Sequence, residues 1–399
     1  MSTCCPVNYM LNGMSRGEMI RKYDFDNYQL TKILKKMKAR IYRKTVLLFV
    51  AAAQLALLPL SGQEASTSFR ELFTLTDHGS LEINNRYGSV DIRNWEKNEI
   101  SVEVEVTVAH SDRNTAEKQL SYINVEFSQR ENDVKALTVI DQRVGQQWLR
   151  WFSAGREDTR ITINYTVYAP PESDLKITHR YGDIFINEAR GHTLVDLRYG
   201  NLQANSIIRD NTRPLSEINL AYSTKATITE AEWLQVNMRY SDLTVNRCRA
   251  LVVSSSYSKL RVERASSVVA ESRYGEFTLG HINNLVAESS YTNYTINQVS
   301  NTLDIQSRYG NVRVDKMPAN FSKLRFESSY GNMRAGIDPE ATYRIEASGS
   351  YGSVNINSEN RVSRETRGGH FTLSGIVGTG SDPKATVDIS TRYGNVDLR

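Results

Sequence analysis

Cysteine is nearly missing from this chain: 399 residues hold three, Cys4, Cys5 and Cys248. Once the first two are set aside with the N-terminus, Cys248 has nothing to pair with, which excludes a disulfide framework. Histidine is scarce as well. The six residues (His78, His110, His179, His192, His281, His370) are scattered and have no metal-ligand spacing. No cofactor, metal or catalytic constellation is expected. The glycine-rich run Gly375 to Lys384 does not lie between a strand and a helix, as a phosphate cradle must, and reads as a plain loop.

Excess charge is missing too, once its source is located. The chain has 49 basic and 45 acidic residues, but residues 1 to 62 hold 10 of the basic and 3 of the acidic ones. The remaining 39 basic and 42 acidic residues make no field that would argue for nucleic acid. The sequence pI near 8.8 therefore belongs largely to the N-terminus.

That N-terminus has the layout of a secretory signal peptide. Six basic residues between Lys35 and Lys44 precede the apolar run Val46 to Leu60, and Ser61-Gly62-Gln63 follows. Fifteen residues are short for a membrane span, and no cysteine follows the run to carry a lipid. Cleavage is expected near Gln63, with Met37 as the start of a conventional leader. The expected location is outside the cytoplasm, in the periplasm or at the cell surface.

What the chain does have is tyrosine, 21 residues, most of them in one recurring sentence. Its clearest copy is Leu303 to Val314, LDIQSRYGNVRV. Twelve copies can be aligned on Tyr87, Tyr181, Tyr199, Tyr222, Tyr240, Tyr257, Tyr274, Tyr291, Tyr309, Tyr330, Tyr351 and Tyr393. Glycine follows the tyrosine in eight, and arginine precedes it in seven. The residue four before the tyrosine is always apolar, and the residue six before is apolar in ten copies. That period of two predicts a strand with one buried face, and by parity the tyrosine lies on it. The glycine is expected to take φ > 0, so that the chain bends there and the inward positions resume three and five residues after the tyrosine.

Two architectures fit. Gly-Asn between alternating runs is also a hairpin signal, which would give an antiparallel meander or a propeller-like array. The preferred expectation is all-β: a parallel β-solenoid of coils about 17–21 residues long. Small residues recurring two before the tyrosine (Ser255, Ser272, Ser289, Ser307, Ser328) favour it, because like residues meet when coils stack directly. An irregular coil is expected around Phe371, and the stack should measure roughly 50–60 Å. As a core ladder the tyrosines would pack ring on ring; as a platform they would be exposed to sugars. Parity favours the ladder. The arginines point outward, available for an anion or glycan, and alternate in many copies with serine.

Three segments follow: leader (1–62), an N-terminal β-rich part with the first repeat (63–174), and repeats (175–399). Between the first two copies, Ile100 to Val108 alternates strictly, Asp112 to Ile123 suits one short helix, and strands surround Val134 to Ile140 and Ile161 to Val167. This part reads as a cap over exposed strand edges. Within it, Trp148, Trp151 and Phe152 form a candidate interaction loop for a glycan, a partner or a membrane surface; the alternative is a single turn packed on the first coil.

The R-Y-G-[NDS]-[VIL] corners, with Asn94-Trp95, the Ala-Glu-bearing helix and Pro170-Pro171 ahead of the coils, resemble the putative adhesin family of bacterial envelope proteins, related to head-GIN-type putative autotransporter adhesins. The resemblance spans residues 70 to 399 and implies an exported β-solenoid with an adhesive or envelope-associated role, and brings no catalytic residues. The expectation is a non-enzymatic binding or structural module whose partner is an envelope protein or glycan. The alternatives are a polysaccharide-active β-helix enzyme, using outward carboxylates such as Glu271, Glu288 and Asp304, and an accessory of envelope stress signalling.

Overall fold

The structure, a computed structural model, describes residues 63–141, 159–357 and 361–399. They form an all-β, solenoid-like array with one short helix. Each copy of the tyrosine sentence contributes a strand before the corner and another after it. The strands pair in parallel with their counterparts in the neighbouring copies, making two ladders that face each other across the core. Parallel pairing rules out the antiparallel meander for the repeats.

The array starts at β2 (Ser80–Asn94), whose two halves pair with those of β7 (Asp174–Ala189), with Ile83 opposite Ile177 and Ile92 opposite Ile186. Elements β1 (Gln63–Thr74), β3 (Glu99–His110), α1 (Arg113–Leu120), β4 (Ile123–Arg130), β5 (Asp133–Ile140) and β6 (Thr159–Ala169) surround that first coil. On one side β5 runs parallel to the first half of β2 and β4 pairs antiparallel with β5. On the other, β6 runs parallel to the second half of β2, β3 is antiparallel to β6, and β1 is antiparallel to β3. The alternation of β3 buries Val102, Val104, Val106 and Val108. Asp112 caps α1 by accepting the Thr115 backbone N–H at 2.9 Å. The helix ends at Leu120, and Ile123 opens β4, a strand that the sequence pattern did not reveal.

The repeats continue through β8 (Thr193–Arg198), β9 (Leu202–Ile207), β10 (Ser216–Ala221), β11 (Ala226–Arg239) and β12 (Asp242–Ser256), then β13 (Lys259–Arg308), which is 50 residues of nearly unbroken extended chain. In register, Ile177, Val195, Ile218, Val236, Val253 and Ala270 form one interior column. Opposite it, Ile186, Ala204, Ile228, Val245 and Val262 form another. All are at most 2% exposed. Side chains from both ladders therefore share one buried core, and Cys248, the only cysteine among the described residues, is unpaired within it.

The C-terminal end departs from simple succession. After β14 (Val312–Met317), β15 (Lys323–Ser328) and β16 (Met333–Ile337) come β17 (Tyr343–Ser350), β18 (Ser353–Asn355), β19 (Val362–Arg367), β20 (His370–Val377), β21 (Ala385–Arg392) and β22 (Asn395–Leu398). The last coil in sequence is not last in space. β21 pairs in parallel with β15 on one side and β17 on the other, and β22 lies between β16 and β18. Residues 385–398 are thus inserted between two coils that precede them in the chain. Phe371 is no coil corner, contrary to the expectation. It sits in the antiparallel hairpin β19–β20, which closes the outer edge of β17. The reason is the turn Gly368-Gly369, with φ of +60° and +80°, which reverses the chain in two residues.

Candidate functional site: the corner ridge

Eleven of the twelve corner tyrosines, all but Tyr330, have φ between +50° and +64°. The conformational break therefore lies at the tyrosine, one residue earlier than the glycine to which the sequence pattern assigned it. It also swings the side chain out. Instead of lying on the buried face, Tyr181, Tyr257, Tyr309 and Tyr351 are 50%, 50%, 39% and 63% exposed as residues, and the others from Tyr199 to Tyr393 fall within this range.

The ladder itself is present. From Tyr87 to Tyr351 twelve rings stack with centroids 4.6–5.5 Å apart and planes within 11° of parallel. Tyr393 lies between Tyr330 and Tyr351, matching the inserted coil. At one strand spacing per rung the column is roughly 50–60 Å long. Because each ring covers the faces of its neighbours, the column offers no faces for sugar stacking along its length. It presents ring edges and a row of hydroxyls.

The next position points inward, and the corner residues divide by what they meet there. A Cβ at Gly200, Gly331 or Gly394 would land on the carbonyl oxygen of the glycine in the adjacent coil. Where the position is not glycine, its small hydroxyl is enclosed: Ser223 Oγ donates to Gly200 O at 2.6 Å, and Ser241 Oγ accepts the Ser223 N–H at 3.1 Å. The asparagine two residues after the tyrosine has a purpose other than tolerating φ > 0. Asn293 Oδ1 accepts the Asn311 N–H at 2.9 Å, Asn311 that of Asn332 at 3.1 Å, Asn332 that of Asn395 at 2.9 Å, and Asn395 that of Ser353 at 3.1 Å. This side-chain ladder satisfies backbone donors that the corner takes out of the sheet.

Immediately before the tyrosines runs the outward column of arginines. In spatial order it reads Arg86, Arg180, Arg198, Ala221, Arg239, Ser256, Arg273, Ser290, Arg308, Ser329, Arg392, Ser350. Arg198 contacts Asp196 at 3.3 Å, and Arg239 lies over the Tyr240 ring at 5.8 Å. Arg273, Arg308 and Arg392 have no carboxylate partner among the described residues. Two grooves lie along this column: one, of about 670 Å³, is lined by Tyr181, Tyr199, Tyr222, Arg198, Asn219 and Asn237; the other, of about 730 Å³, by Glu288, Gln306, Arg308, Glu327, Ser329 and Arg392.

Several titratable groups of the interior are held in their neutral forms by burial. Burial pushes the phenols of Tyr165, Tyr294 and Tyr343, and the Cys248 thiol, up to about 12. Burial also holds the imidazole of His179 below its ordinary value. Among the described residues no group of three His, Cys, Asp or Glu side chains could hold a metal ion. Glu271 and Glu288 are exposed on adjacent rungs of one column, and Asp304, in the column beside it, is only 16% exposed and tied to Lys323 at 3.0 Å. Trp148, Trp151 and Phe152 lie outside the described residues. The exposed ridge was missed in the sequence because the tyrosine's parity was carried straight through a residue that reverses it.

The family model described as Toastrack DUF4097 matches residues 78–399. No curated protein matches. Among solved structures the chain is similar to a putative cell adhesion protein from Clostridium sporogenes (9% identity, 84% of this chain and 99% of that one, TM-score 0.18). It is also similar to putative adhesins from Bacteroides fragilis (8%, 84% and 97%, 0.26) and Parabacteroides distasonis (9%, 84% and 97%, 0.28).

Proposed function

We propose that this chain, which belongs to the Toastrack DUF4097 family, is an exported, non-enzymatic binding module of the cell envelope whose contact surface is the corner ridge. The observation that carries the reading is the conformation of the tyrosines. An L-residue in the left-handed region costs roughly 1–2 kcal/mol, which glycine in the same place would avoid. The chain bears that cost at eleven corners while leaving large aromatic rings about half exposed. Ring stacking offsets part of it, at roughly 0.5–1.5 kcal/mol per pair. The remaining consequence is a straight row of phenol hydroxyls along one edge of a stiff array, suited to an extended ligand. The leader supplies the export, and the strands before β7 serve as the cap of the array.

The test uses the full chain with Tyr257, Tyr274 and Tyr291 each changed to Phe, which keeps the stack and removes three hydroxyls. Retention on an isolated envelope fraction is expected to drop severalfold with unchanged melting. Equal retention would remove the ridge as the contact surface, and no retention of the unmodified protein would remove the binding-module reading altogether.

A further inference from the structure

The arginine column has a regularity that appears only in spatial order. In the chain, the serine of the Tyr330 copy is followed by that of the Tyr351 copy, and Arg392 comes last. In the stack, insertion of the last coil sets Arg392 between Ser329 and Ser350. From Arg239 onward the rungs therefore alternate without a break: Arg239, Ser256, Arg273, Ser290, Arg308, Ser329, Arg392, Ser350. Successive arginines stand two strand spacings apart, close to 10 Å.

The column next to it, three residues before each tyrosine, supplies the opposite sign on two of the four intervening rungs; the Ser256 and Ser350 rungs have Ser254 and Ser348 there. Glu288 shares a rung with Ser290, and Glu327 shares one with Ser329; both are exposed and line the same groove as Arg308 and Arg392. Arg308 and Arg392 have Gln306 and Ser390 beside them, which are neutral; Glu271, on the Arg273 rung, is the one acidic departure. Along the groove the charge thus runs minus at Glu288, plus at Arg308, minus at Glu327 (which also pairs with Arg325 at 3.2 Å) and plus at Arg392, while on the neighbouring Arg273 rung Glu271 offsets the arginine. A polyanion with a charge on every rung would meet a carboxylate at every second step. One with a charge on every second rung would meet only guanidinium groups.

From this we infer that the ridge binds a linear acidic polysaccharide carrying one carboxylate per disaccharide, laid along the solenoid axis. Two extended pyranose rings span about the distance between alternate rungs. Each uronate carboxylate faces one arginine, and the neutral sugar between lies over the serine, with its hydroxyls within reach of the tyrosine edge row. Guanidinium pairs with carboxylates in two-point geometry, and those at Arg273, Arg308 and Arg392 are not already engaged by a carboxylate. The body behind the strip is slightly acidic, so attraction is confined to the strip. The inference rests on the ridge being a binding surface and adds the chemistry of what it binds.

The experiment measures binding of the full chain to three polymers: hyaluronan, with one carboxylate per disaccharide; polygalacturonate, with one per sugar; and duplex DNA. Hyaluronan is expected to bind at least tenfold more tightly than the other two, with an affinity that falls as salt is raised. Arg273→Ser, Arg308→Ser and Arg392→Ser together should abolish most of that binding. They should leave melting unchanged, since serine already fills the alternate rungs. A second variant, Arg308→Ser with Ser329→Arg, keeps the net charge and breaks the alternation; it should lose binding about as severely. Equal binding by that variant, or equal affinity for all three polymers, overturns the inference. Binding of an uncharged chitin oligosaccharide but not hyaluronan overturns the acidic ligand while leaving the ridge as a binding surface; envelope retention that survives loss of the tyrosine hydroxyls overturns the ridge itself.

Discussion

At its N-terminal end the array is extended by strands that are not repeats: β5 and β6 on the two ladders, then β4 beyond one and β3 with β1 beyond the other. At its C-terminal end an ordinary repeat is slipped inside, and only a hairpin, β19–β20, is added to one ladder. Both arrangements move the exposed edge off the repeat ladders at most ends, onto β1, β4 and β19, while β18 keeps one edge without a partner strand among the described residues. The first needs sequence of its own kind. The second reuses the repeat, and its order is specified by how the side chains of neighbouring rungs fit.

The sharpest way to break this contrast is to remove each end. Ending the chain at Lys384 takes away β21 and β22 with the buried Val387, Ile389, Val396 and Leu398. At roughly 1.5–3 kcal/mol for each such side chain the loss is about 6–12 kcal/mol, comparable with the stability of a whole domain. Removing β1, which buries Ala65 and Phe73 on a single partner strand, should cost roughly a third as much. Denaturant melts and hydrogen exchange of the two truncates give the comparison. Equal losses would mean that Tyr343–Asn355 restacks on Lys323–Ile337 when its seat is emptied.

A smaller perturbation tests the seat itself. Gly394→Val would drive a side chain onto the Gly331 carbonyl and should destabilise by about 1–3 kcal/mol. Unchanged stability would mean that the corners are looser than their spacing implies.

The smallest effect belongs to the N-terminal end, whose interior column holds His179 where the next rungs have Leu197, Leu220 and Met238 and the later ones serine or threonine. Burial lowers its pKa, so the unfolded chain binds the extra proton. Its contribution is complete above the ordinary histidine value of about 6.5 and declines as pH falls below it. His179→Leu, matching Leu197 on the next rung, should flatten the fall of melting temperature between neutral and mildly acid pH. Parallel curves for the two proteins would assign the acid sensitivity elsewhere.

How far the fold was legible follows the same division. The strict alternation of Ile100 to Val108, the Asp112 cap and the column four residues before each tyrosine are local patterns, and β3, α1 and the interior columns lie where they point. The placement of Arg392 between Ser329 and Ser350 is not local. Twelve near-equal frames can stack in many orders, and the choice depends on neighbours such as Phe326, Ile389 and Ala347 meeting across one column. The tyrosine conformation was hidden for another reason. Left-handed backbone at tyrosine runs against residue preference and is held by rings and carbonyls in adjacent coils. The Phe371 hairpin, by contrast, was signalled by Gly368-Gly369, a two-residue reversal that the aligned repeat obscured.

The inserted coil also sets a clock. A chain leaving the ribosome can add one rung after another up to β16, each new strand finding its parallel partner already made. β17 cannot: its neighbour β21 is 35 residues further along. Until β21 emerges, β15 presents a bare edge to which β17, bearing the same repeat, can attach in the wrong place. Residues 343–399 can therefore settle together only once β21 has emerged, and the later strand is the one that the earlier strand has to wait for.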